Sequence, residues 1–223
     1  MKTICLCLIL LVSGKSIGQN SIEKNIGVFN EIKVFDLINV DMVKSNENKV
    51  TIEGKNKSDV EIVNKNGKLK IRMDLDEIYD GNDTKITLYY TSVSTIDANE
   101  GAKITVKNVI DQNNIELRAQ EGAEIIAQLN TNSAEFRAVT GGIINVNGSS
   151  KYQDISILTG GIFNGKKHMT DRTEVSIKAG GEAYIHATEE ADVSIRAGGS
   201  IFVYGNPKNV IESKVLGGKV KVM

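Results

Sequence analysis

Two small residues recur side by side through the second half of the chain. The pairs are Gly101-Ala102, Gly122-Ala123, Gly141-Gly142, Gly160-Gly161, Gly180-Gly181, Gly198-Gly199 and Gly217-Gly218, at steps of 21, 19, 19, 20, 18 and 19 residues. A period near 20 is the signature of a repeat architecture, in which one short unit stacks on the next. Apolar residues keep phase with the pairs. Five positions before the first glycine stand Ile96, Leu117, Phe136, Ile155, Val175 and Val193; three before it stand Ala98, Ala119, Ala138, Ile157, Ile177 and Ile195. Two positions after the pair come Ile104, Ile125, Ile144, Phe163, Ala183, Ile201 and Val220. Polar residues fill most gaps, so each unit holds two runs of period-two alternation, the pattern of half-buried strands. No stretch shows a helical period.

Two sheet geometries compete for this pattern. Gly-Gly between strands is a hairpin signal, but a two-residue hairpin would place the apolar sets before and after the turn on opposite faces. A bulged turn would repair that conflict. A parallel stack needs no repair: each unit makes one coil, equivalent positions lie about 4.8 Å apart on successive coils, and the glycine pairs line a tight corner. The expected fold is therefore all-β, a right-handed parallel β-helix or β-solenoid with coils of about 19–20 residues. In the unit that ends at Gly217, Glu212 and Lys214 fall at inward positions, which predicts an irregular rung or a cap.

The remainder of the chain fits one continuous body. Residues 19–95 contain strand-like runs at irregular spacing, among them GVFNEIKVF, VTIEG and KITLYY, and read as irregular first coils and a cap, with a separate small β-domain as the alternative. Residues 96–223 are the regular repeats, and 19–223 is expected to be a single β-solenoid domain. Residues 1–18 read as a signal peptide: Lys2, then the short apolar run Ile4 to Val12, then small residues Ser16 and Gly18 before a cut at Gln19. Both cysteines, Cys5 and Cys7, lie in that segment. The mature protein is thus expected to be exported, to the periplasm, cell surface or medium, and held together without disulfides. No other apolar run is long enough to span a bilayer. The formal charge of −1 argues against a nucleic-acid partner, and nothing in the sequence sets an oligomeric state.

The opening FNEIKV (29–34), the segment NGKLKI (66–71) and the ending FVYGNPKNVIESKVLGGKVKV (202–222), together with the recurrent pairs, resemble the putative auto-transporter adhesin, head GIN domain family. The resemblance covers nearly all of the mature chain. It implies an exported bacterial protein with a right-handed β-helical fold and carries over no catalytic residues.

The search for chemistry is mostly negative. His168 and His186 sit at different offsets from their glycine pairs and are not expected to stack, so no metal site is built on them. No mature cysteine, triad or phosphate loop is present, and no cofactor is expected. Six positions before the first glycine, Glu116, Glu135, Asp154, Glu174 and Asp192 form an acidic column. Arg118, Arg137, Lys178 and Arg196 lie nearby, so the expected arrangement is a self-compensated surface ladder, with Asp154 alone lacking a partner.

One patch stands out as a binding candidate. Tyr184 with His186, and Phe202 with Tyr204, flank the inward Ile185 and Val203 and so point outward at equal offsets in adjacent coils. Tyr184 is expected against Phe202, and His186 against Tyr204. Four rings on one face would suit a sugar ring or a partner surface; the competing account is mutual cross-coil packing, or cover by the chain around Asn206-Pro207. The functional expectation is an exported, non-enzymatic adhesin or structural envelope protein, its partner a glycan or a cell-surface protein. The alternatives are a polysaccharide-active β-helix enzyme and a self-assembling scaffold.

Overall fold

The computed structural model describes residues 21–74, 76 and 80–223, and the proposed signal peptide lies outside them. The described residues contain no α-helix. In chain order the strands are β1 (Ile22–Asn25), β2 (Glu31–Val34), β3 (Asn39–Lys44), β4 (Lys49–Gly54), β5 (Val60–Lys65), β6 (Lys68–Met73), β7 (Thr84–Tyr90), β8 (Thr95–Ala98) and β9 (Lys103–Val106). There follow β10 (Ile110–Gln120), β11 (Glu124–Val139), β12 (Ile143–Leu158), β13 (Ile162–Ile177), β14 (Glu182–Ala197), β15 (Ser200–Tyr204), β16 (Asn209–Leu216) and β17 (Lys219–Val222).

The protein is a β-solenoid of stacked parallel coils. β11 to β14 are long strands that bend midway, so that each contributes to two faces. On the first face β9, β11, β12, β13, β14, β15 and β17 pair in parallel; on the second, β8, β10, β11, β12, β13, β14 and β16 do so. The parallel reading of the repeat therefore holds, and the hairpin reading does not. Ile157, Ile177 and Ile195 are register partners on consecutive coils and are fully buried or nearly so. The inward apolar residues named from the sequence belong to one core cluster, with Val220 partly buried against it. At about 25 cal/mol per Å² of apolar surface removed from water, this stacking is the main source of stability in a body whose described residues include no cysteine.

The corners have two forms. In the earlier coils the left-handed residues are Glu100-Gly101, Glu121-Gly122, Thr140-Gly141 and Thr159-Gly160; in the later ones they are Gly180-Gly181, Gly198-Gly199 and Gly217-Gly218. The left-handed pair thus shifts by one residue along the stack. In the earlier form the turn closes with a backbone hydrogen bond across it, for example Gly142 N–H to Val139 O at 2.9 Å. Positive φ at both central residues is the type I′ pattern. Gly142 has an ordinary φ, yet a Cβ there would overlap the carbonyl of Ala119 on the coil before.

The first coils do not stack in chain order. β2 lies between β6 and β8, and β3 between β7 and β9, so the β2–β3 coil is sandwiched between two later ones. Antiparallel pairing closes that end: β5 on β6, β4 on β7, and β1 on β4. At the other end, β16 lays Glu212 over Val193 and Lys214 over Ile195. The two side chains form an ion pair at 2.6 Å, above the aliphatic columns.

Candidate functional site

Outward residues of the first face line up in a column through the registers Ile126–Asn145, Asn145–Asn164, Asn164–Tyr184 and Tyr184–Phe202. The Tyr184 and Phe202 rings stack in parallel, with centroids 4.8 Å apart and planes at 8°. The Tyr184 hydroxyl donates to Glu182 Oε2 at 2.8 Å, which pins the ring and raises the phenol pKa above its ordinary value. His186 and Tyr204 are register partners. The group over the Tyr204 ring, however, is the Lys166 ammonium, 4.5 Å from the centroid, and His186 Nδ1 lies 3.1 Å from the Lys166 carbonyl oxygen. Tyr184, His186, Phe202 and Tyr204 are all half-buried.

Lys166 reaches this patch because β13 is bulged. Its register with β12 slips between Asn145 and Asn147, and its register with β14 slips between Asn164 and Met169. Gly165 marks the start of the irregularity. It occupies the inward position held by Val146 and Ile185 in neighbouring coils, and the ring of Phe163 fills the space its side chain would need. Beyond it both Lys166 and Lys167 are exposed. The bulge opens a groove of about 320 Å³, whose lining includes Asn145, Asn147, Asn164, Lys166, Lys167 and Tyr184. Asn164 donates to Asn145 Oδ1 at 2.7 Å, and Asn145 donates to Glu124 at 2.8 Å, which fixes both amides. Sequence reasoning found the rings and missed the groove. Its available signals were Gly165 at an apolar position and the steps of 20 and then 18 residues on either side of Gly180.

A second feature lies inside the bend. Thr131 Oγ1 and Ser150 Oγ are 2.6 Å apart, and Ser150 Oγ is 2.9 Å from His168 Nε2. Beside them Gln153 donates to Thr173 at 2.8 Å, and Thr170 lies 2.7 Å from Thr173. All six side chains are buried. Burial pushes the His168 pKa down to about 4, so the ring is neutral and packs edge-on against Phe136. A serine beside a neutral histidine suggests a nucleophile and base, but among the described residues no carboxylate orients this ring, and both groups lie beneath the surface. The row pairs most of its buried polar atoms with one another and leaves Gln153 Oε1 and His168 Nδ1 without a partner among the described residues.

The acidic column forms in register, from Glu116 through Glu135, Asp154 and Glu174 to Asp192. Its expected compensation is only partial. Arg118 pairs with Glu116 at 2.5 Å, and no ion pair joins Glu135, Asp154, Glu174 or Asp192 to a base among the described residues. The arginines and lysines placed near these carboxylates by sequence extend to solvent instead, where an exposed pair gains little over hydration. Partial desolvation, with Glu174 and Glu135 above and below, raises the Asp154 pKa. Among the described residues no group of three or more His, Cys, Asp or Glu side chains is arranged to hold a metal ion, and no helix is long and apolar enough to cross a membrane.

Comparison with known proteins adds a family and a set of folds. The family described as putative auto-transporter adhesin, head GIN domain, matches residues 28–207. The crystal structure of a putative adhesin from Bacteroides fragilis superposes with a TM-score of 0.84 at 18% identity, covering 91% of this chain and 96% of that one. A putative adhesin from Parabacteroides distasonis gives 0.73 at 18% identity, covering 91% and 96%. A protein from the same species described as a putative lipid binding protein gives 0.70 at 17%, also covering 91% and 96%. At these identities the likeness is one of fold. No curated protein sequence matches the chain.

Proposed function

Since the chain belongs to the putative auto-transporter adhesin, head GIN domain family, we propose that it is an exported, non-enzymatic adhesin that uses the first face around Tyr184 to contact glycans on a surface. The observation that carries this reading is the parallel Tyr184–Phe202 stack, half-exposed and held in place by the Glu182 hydrogen bond. A rigid aromatic platform offers a flat apolar surface to the C–H face of a sugar ring at little entropic cost. His186 and Tyr204 extend it on the adjoining register, and a solenoid face repeats such positions at fixed spacing, which suits an extended partner.

The test is a glycan array on the purified protein and its Tyr184→Ser/Tyr204→Ser variant. Binding that is lost in the variant at an unchanged melting temperature supports a site. A large fall in stability with binding unaltered reduces the rings to a structural ladder. Export is tested separately: secreted material whose N-terminus is Gln19 supports it, and secreted material that starts at Met1 overturns the proposed cleavage.

A further inference from the structure

The bulge of β13 sets two ammonium groups beside an aromatic wall. In a regular strand, one of two consecutive residues points inward. Past Gly165 the slipped register frees β13 from that rule, and Lys166 and Lys167 both face solvent at the same groove. Neither ammonium has a carboxylate within ion-pairing distance among the described residues. The carboxylates nearest in register on this face are already engaged: Glu124 by Lys103 at 2.7 Å and by Asn145, and Glu182 by the Tyr184 hydroxyl. The groove therefore carries uncompensated positive charge on a chain whose formal net charge is −1. This is a local arrangement rather than general basicity. Its amides are directional as well. Asn164 and Asn145 spend donors on the chain Asn164 to Asn145 to Glu124, which leaves the Asn164 carbonyl oxygen to accept from a ligand hydroxyl.

We propose that this groove selects an acidic saccharide, its ring packed on Tyr184, a hydroxyl donated to Asn164, and its carboxylate or sulfate held by Lys166 and Lys167. The inference deepens the glycan reading above and rests on it. A volume of about 320 Å³ is at the lower end for small-ligand sites, so the groove takes one or two sugar units of a longer chain. Charge-assisted contacts from two ammonium groups supply selectivity over a neutral sugar of the same shape. Lys166 also lies over Tyr204, which couples the anion site to the ring patch.

The experiment measures binding of the purified protein to four probes: a hexuronate oligosaccharide, a sulfated oligosaccharide, a neutral oligosaccharide of equal length, and anionic phospholipid vesicles. The expected result is at least tenfold tighter binding of one or both acidic oligosaccharides than of the neutral one, weakening as salt rises. The comparison between hexuronate and sulfated probes identifies which anion is recognised. Lys166→Ala/Lys167→Ala should erase the preference while leaving the melting temperature unchanged, and Lys166→Arg/Lys167→Arg should retain it. Should the double alanine variant fail to fold, the single exposed change Lys167→Glu must lower acidic binding at least tenfold. Equal affinity for neutral and acidic probes would overturn the acidic preference and leave the glycan reading intact. Binding to no oligosaccharide overturns both, and binding to vesicles alone overturns both in favour of a lipid surface.

Discussion

Around the glycine corner the interior of the regular coils is aliphatic and aromatic. At the bend on the far side of the same coils it turns polar. Corner columns run Leu117, Phe136, Ile155, Val175, Val193 and Ile125, Ile144, Phe163, Ala183, Ile201. Bend columns run Leu129, Gly148, His168; then Thr131, Ser150, Thr170, Ala187; then Ala134, Gln153, Thr173, Ala191. The polar stretch spans the central coils and is closed off by Leu129 and Ala134 on one side and Ala187 and Ala191 on the other. The two sides set register by different means. On the corner side, a one-residue slip turns every apolar side chain outward. On the bend side, a slip by a whole coil would keep apolar columns apolar at the corner but set Ser150 or His168 against alanine or leucine, leaving buried polar groups unpaired. The corner specifies phase within a coil, and the bend specifies which coil sits on which.

The largest expected effect lies on the corner side. Ile177→Ala, between Ile157 and Ile195, should cost about 4 kcal/mol, read as a lower urea midpoint with an unchanged slope. A loss below about 1 kcal/mol would mean the column is not tightly packed.

Acid should act on the bend. The His168 ring protonates at about 4 in the folded protein, and its ordinary value is 6.5. Between these values the unfolded chain binds the extra proton. This contribution to stability is therefore complete above about pH 6.5 and falls as pH drops toward 4, by about 3 kcal/mol in all. Unfolding free energies measured across that range should lose this slope in His168→Gln and keep it in Ile177→Ala. The same slope in both variants would remove His168 as its source.

The corner forms give a smaller contrast. Thr159 is β-branched at φ +49° and is the first left-handed residue of its corner, a place that glycine takes in the later coils, one register position further on. Thr159→Gly should stabilise by about 1 kcal/mol, seen as a rise in melting temperature. Gly160→Ala, at φ +76° with open space around it, should destabilise by a similar amount.

The smallest effect belongs to the acidic column. Asp154 has a raised pKa, so its charged form is disfavoured in the fold. That penalty is present at neutral pH and disappears as pH falls below the folded pKa. Asp154→Asn should therefore raise stability by about 0.3 kcal/mol at pH 7, after solvent screening, and not at all near pH 3. Equal gains at both values would point away from charge repulsion.

This contrast also marks what could be read from the chain. The corner was legible because apolar residues there alternate strictly and glycine punctuates each coil. The bend was not. Thr131, Ser150, Gln153 and Thr173 look like solvent-facing strand residues, and the inward positions reset across the bend from 131 to 134, 150 to 153 and 170 to 173. Alternation counted from the glycine loses phase there. The insertion of β2–β3 between later coils is a pairing choice made in three dimensions, with no period to report it. At the candidate site the rings were visible at equal offsets. Lys166 and Lys167 were hidden, because regular alternation would have turned one of them inward.

The Glu212–Lys214 pair has a consequence for how long the body can be. A stack that grows layer by layer uses each finished layer as the template for the next, as a crystal face does. Growth stops where a layer presents a surface the next cannot wet. A further coil laid on β16 would have to desolvate both ions, at several kcal/mol each, where the regular coils before it offer only apolar side chains in these two columns. Two residues thus make the β16 side of this end costly to cover. In Glu212→Val/Lys214→Ile the Val193 and Ile195 columns would run through to the surface, and light scattering should then find end-to-end assemblies. On this face the two side chains, and not the period that builds the coils, oppose a further layer.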